Sequence, residues 1–133
     1  MSPSAALTSI QSPLRKGAED LFKHALEHDS QGTIFDQRVA IIHFHNAIEL
    51  LLKDLARMNG LNYRQKQIPQ LVRALKGTIT ELGSVEGDLM LLHESRNMVY
   101  HSCFAPDEFN YNWLISKAQE FFGLIERLLG ESS

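Results

Sequence analysis

Five apolar residues near the C-terminus, Leu114, Ala118, Phe121, Ile125 and Leu128, recur at spacings of four, three, four and three. That rhythm keeps side chains on one face of an α-helix, whereas a strand repeats every two residues. It is the seam by which a helix packs on other helices. A chain that ends on such a seam needs partners of the same kind. Phe109, Trp113 and Phe122 thicken the stripe, and Pro106, Asp107 and Glu108 suit a first turn. The spacing predicts a helix over 107–129.

The partners precede it. Residues 1–12 read as a loose leader, and a single domain follows over 13–130. Leu14, Ala18, Leu21, Phe22, Ala25 and Leu26 predict a helix over 13–29, closed by Asp29-Ser30-Gln31-Gly32. Ile41, Phe44, Ile48, Leu51, Leu52 and Leu55 predict a longer one over 35–59, with Asp36 as cap or first-turn acid and Asn59-Gly60 as its end. Val39, Ile42 and Leu50 widen its apolar face beyond one side. A helix of that kind is central or touches a second chain. A short helix over 69–77 carries Leu71, Val72 and Leu75. A fourth begins near Ser84 as its cap and carries Val85, Leu89, Leu92 and Val99. No alternating strand pattern competes. The expected fold is all-α, an up-and-down bundle of four main helices plus one short helix.

Length and charge narrow the function. The 133 residues suit one domain. A net charge of −3 argues against a broad basic face coating nucleic acid, though not against a small cationic site. The single cysteine, Cys103, excludes an internal disulfide framework and fits a reducing interior. No apolar run approaches the ~20 residues of a membrane span, and the N-terminus lacks the basic start and apolar core of a signal peptide. No membrane association and a cytoplasmic location are expected.

The fourth helix carries an unusual strip, Leu92-His93-Glu94-Ser95-Arg96-Asn97-Met98-Val99-Tyr100-His101. His93, Asn97 and His101 are spaced i, i+4, i+8 and form one nearly axial line, with Arg96 and Tyr100 one step round. Arg96 and His101 stand about 140° apart around the axis and ~7.5 Å along it. Histidine moves protons near neutral pH, and arginine offers a fixed cationic fork to phosphate. Asparagine and tyrosine can orient a phosphate or a ring. The set suits metal-free cleavage of an RNA backbone, with histidine activating a ribose 2′-hydroxyl and arginine stabilising charge on the phosphate oxygens. Composition and spacing alone fit a solvated helix face equally well.

Arg96-Asn97-Met98-Val99-Tyr100-His101 resembles the R-x4-H motif of the HEPN superfamily, including the polar residue after the arginine. Ala47-Ile48-Glu49-Leu50-Leu51-Leu52-Lys53 resembles that family's early core helix, and the element order over about 13–129 agrees. The resemblance implies a helical bundle that dimerises. It also implies a metal-independent ribonuclease, a toxin or defence effector, whose two motif copies meet at the homodimer interface. It makes Arg96 and His101 catalytic, without cofactor or metal, and Asn97 supporting. His93 and Tyr100 are further candidates to support or bind substrate. Glu49 is a weaker one, since Lys53 at i+4 is an equally good partner for it. RNA would be the substrate. An antitoxin, in some members a nucleotidyltransferase, is the expected partner. In that group the modified tyrosine stands two residues after the motif histidine, where this chain has Cys103. Some HEPN domains are non-catalytic modules that bind a nucleotide or a partner protein, which is the alternative function. A structural dimerisation domain is a third.

Other patterns carry less. His24-Ala25-Leu26-Glu27-His28 fits H-x-x-E-H, but it lies on the polar side of a short helix in a chain far smaller than such proteases. His43 and His45 point to nearly opposite sides of their helix, and His45 can pair with Glu49. Cys103 reads as a small structural residue rather than a nucleophile. No glycine-rich phosphate loop is present.

Overall fold

The hydroxyl of Ser12 accepts the backbone N–H of Arg15 at 3.1 Å. This cap, with Pro13 in the first turn, starts α1 (Pro13–Gln31). The computed structural model describes residues 12–102 and 106–132. Residues 1–11 of the expected leader, Cys103 and the side chain of Phe109 lie outside the described residues. Gly32, at φ +76°, ends α1 in the left-handed conformation that glycine adopts without strain. Thr33 then caps α2 (Ile34–Met58), accepting the Asp36 N–H at 3.0 Å. Asp36 is the first-turn acid. Bonds from Thr33 and His28 hold its carboxyl below the ordinary carboxylate range, and its 2.8 Å contact with His28 Nδ1 ties α1 to α2.

α3 (Ile68–Leu75) is short, and buries Ile68, Leu71, Val72 and Leu75. α4 (Thr80–Ser102) begins four residues before Ser84. Ser84 is not its cap; its hydroxyl donates to the Glu81 carbonyl at 2.7 Å inside the helix. Gly83 and Ser84 are weak helix formers, but full burial of Leu82 just before them holds the turn in place. α5 (Glu108–Ser132) closes the bundle.

α2 touches each of the other four helices. Its broad apolar face is that of a central element, and Ile41, Phe44, Ile48, Leu51, Leu52 and Leu55 are wholly buried. The seam of α5 is buried along its length, from Leu114 through Ala118, Phe121 and Ile125 to Leu128. Phe22 of α1 stacks on Phe122 of α5 at 4.1 Å and meets Phe44 edge-on at 5.4 Å. Tyr111, in the first turns of α5, donates to Asp29 near the end of α1 at 2.7 Å, so these helices run antiparallel. α4 and α5 do likewise: Glu81 pairs with Arg127, and Asp88 lies 3.7 Å from Lys117. Among the described residues there is no strand, and no helix is long and apolar enough to cross a membrane. The architecture is the all-α bundle of four long helices and one short helix.

Candidate functional site

α4 carries apolar residues on two opposite sides. Leu82, Leu89, Leu92 and Val99 are buried against the bundle. Leu91 and Met98 are 48% and 47% exposed on the far side. Of the polar strip, His93 is buried, Arg96 and Asn97 are half-buried, and Tyr100 and His101 are exposed. The helix thus brings its strip from the core to the surface in two turns.

The inner end of the strip is anchored by a residue from another helix. His45 of α2 has no exposed surface, and its Nε2 lies 2.9 Å from His93 Nδ1. On its other side, His45 Nδ1 lies 3.0 Å from Asn46 Oδ1. Further out, His93 Nε2 lies 3.3 Å from Asn97 Nδ2. Four side chains from two helices therefore form one hydrogen-bonded chain.

Burial keeps both rings neutral. It pushes His45 down to about 3, with the Arg96 charge and His93 acting the same way and the Asn46 bond opposing. Burial and then Arg96 also lower His93, against the pull of Glu94. Glu49 of α2 is shifted up by burial, which Lys53 and Arg96 oppose. Its Oε1 is buried without a hydrogen-bond partner, and no ion pair with Lys53 forms. Arg96 therefore sits within electrostatic reach of His45, His93 and Glu49. Its Nε is buried without a hydrogen-bond partner, and no described carboxylate lies within ion-pair distance of it.

The sequence line is only partly joined. His93 and Asn97 touch, whereas His101 makes no hydrogen bond to them or to Arg96. Among the described residues its ring contact is with Tyr100, centroids 5.3 Å apart and nearly perpendicular. His45 is the residue that sequence reasoning missed. It faces His93, not Glu49. The signal was its place in the inward register of α2, with Ile41, Ile48 and Leu52 at helical spacing. His43 points the other way, its ring 6.4 Å from His24 and 6.0 Å from His28. His24 is paired with Glu27 and His28 with Asp36. Among the described residues no group of three or more metal-binding side chains can hold an ion.

Beside the strip, α4 and the start of α5 enclose an open cleft of about 240 Å³, lined by Leu91, Glu94, Ser95, Met98, Asn110 and Trp113 among others. It is mostly apolar in lining, and Arg96, Tyr100 and His101 are not among the residues that line it. Compared with known proteins, the chain matches no family model, no curated protein and no solved structure.

Proposed function

We propose that the chain is a metal-independent endoribonuclease of the HEPN type, active as a homodimer and serving as a toxin or defence effector. The observation that carries this reading is the state of Arg96. It is a half-buried guanidinium with an unpaired Nε and no carboxylate partner among the described residues, one helical stretch from the exposed His101. A guanidinium that is not spent on a carboxylate keeps its outer nitrogens for an anion. Arg96 and His101 diverge around α4, so one copy offers half a site. Leu91 and Met98, exposed beside the cleft, supply an apolar face that a second copy would cover.

In the reaction, a neutral His101 takes the proton of the ribose 2′-hydroxyl. The 2′-oxygen attacks phosphorus, and the bond to the 5′-oxygen breaks. That oxygen leaves with a proton from an imidazolium, giving a 2′,3′-cyclic phosphate and a 5′-hydroxyl. Arg96 balances the charge that builds on the non-bridging oxygens. Asn97, held by His93, orients the substrate. Regulation by modification of a tyrosine two residues past the histidine does not transfer, because Cys103 stands there.

The test is cleavage of single-stranded RNA in EDTA. Wild type cuts and is indifferent to chelator, while Arg96→Ala and His101→Ala lose activity without losing helical content. A wild-type chain that cuts no RNA but forms a stable complex with a nucleotide or a neighbour-encoded protein would instead mark a non-catalytic module.

A further inference from the structure

The chain Asn46–His45–His93–Asn97 has a direction. Asn46 Oδ1 can only accept, so His45 carries its proton on Nδ1 and offers a lone pair at Nε2. His93 must then donate from Nδ1 to His45, which leaves its own Nε2 as an acceptor. That acceptor takes an N–H of the Asn97 amide. The Asn97 carbonyl oxygen is left over, with no hydrogen-bond partner among the described residues. Both rings hold the tautomer that is less common for free histidine, and both are neutral.

We infer that His45 is a positioning residue: through His93 it fixes the Asn97 amide with its carbonyl oxygen free to accept, on the residue that follows Arg96 in the strip. An acceptor beside a cationic donor fits a hydroxyl neighbouring a phosphate, which is the 2′-hydroxyl of RNA. The opposite polarity would present an N–H at Asn97 and favour phosphate alone. The substrate half of this inference rests on the ribonuclease reading. The positioning half does not.

Two measurements on the full chain test it. The first is the ¹⁵N ring shifts of His45 and His93 near neutral pH. Both rings are expected neutral with the proton on Nδ1. A proton on Nε2 of either ring, or a charged ring, overturns the polarity. The second is binding of a short single-stranded RNA and of its 2′-fluoro counterpart, which accepts but does not donate at that position. It uses the His101→Ala background so that nothing is cut. The fluoro substitution is expected to weaken binding by up to roughly tenfold, the scale of one hydrogen bond.

Adding His45→Leu removes that difference. Adding His45→Gln keeps it, because the glutamine oxygen can accept from His93 Nδ1. If His45→Leu does not fold, His45→Gln and the wild-type ring shifts still decide. RNA binding whose fluoro sensitivity ignores His45 overturns the inference and leaves the ribonuclease reading standing. Expected ring shifts with no RNA bound or cut remove that reading and the hydroxyl assignment, and keep His45 as the residue that orients Asn97.

Discussion

His45 and His93 are 48 residues apart in the chain, and their facing ring nitrogens lie 2.9 Å apart inside the bundle. Two imidazoles at that distance form a hydrogen bond only when one donates and the other accepts, so at most one ring can be charged, and burial disfavours a charge on either. The pair joins the central helix α2 to α4 at the root of the strip that ends in His101. Packing of the core and geometry of the candidate site therefore share one contact.

This pair makes stability depend on pH. His45 is held near 3 in the fold, against 6.5 for a free ring, and burial also lowers His93 and His43. Between those values the unfolded chain binds more protons than the folded one. The stability is full above about 6.5 and declines as pH falls toward 3, by up to about 1.4 kcal/mol per pH unit for His45 alone. Glu49 and Glu126 are raised by burial and act in the opposite sense near their own range. Glutamine does not titrate, so urea unfolding of His45→Gln is expected to show a flatter pH dependence between about pH 4.5 and 6.5 than wild type. Parallel curves would remove His45 as the source.

The core and the caps separate cleanly in size. Phe44 is wholly buried and meets Phe22 edge-on. Phe44→Ala is expected to cost about 3–5 kcal/mol in chemical unfolding. Thr33→Ala, which removes the α2 cap, is expected to cost about 1 kcal/mol.

Much of this was legible locally. The 4-3-4-3 seam of α5 is buried from Leu114 to Leu128, as its spacing predicts, because helix period and burial are both read along one segment. The His93–Asn97 contact follows from i, i+4 adjacency. The start of α4 was not legible: Gly83 and Ser84 look like a connection, and the burial of Leu82 against the bundle is a tertiary contact that no local spacing encodes. His45 was hidden for a related reason. Its register on α2 marks it as inward, but which residue it meets depends on how α2 crosses α4, and no spacing within either helix encodes that.

Leu91 and Met98 flank the cleft with half their surface exposed. If a second copy covers them, Leu91→Glu and Met98→Glu shift the chain to monomer in sedimentation and lower RNA cleavage in parallel. Both substitutions lie on the outer side of α4, so helical content is expected to change little. A monomeric variant that cuts at the wild-type rate would remove the composite site.

The most direct test mixes two dead chains. Arg96→Ala and His101→Ala are co-expressed with different tags, and the doubly tagged heterodimer is assayed on single-stranded RNA in EDTA. Each homodimer is expected to be inactive. A site that takes Arg96 from one copy and His101 from the other is whole once in the heterodimer, so about half of the wild-type activity should return, with 2′,3′-cyclic phosphate ends. A heterodimer as inactive as its parents, or either homodimer cutting at the wild-type rate, would contradict the account.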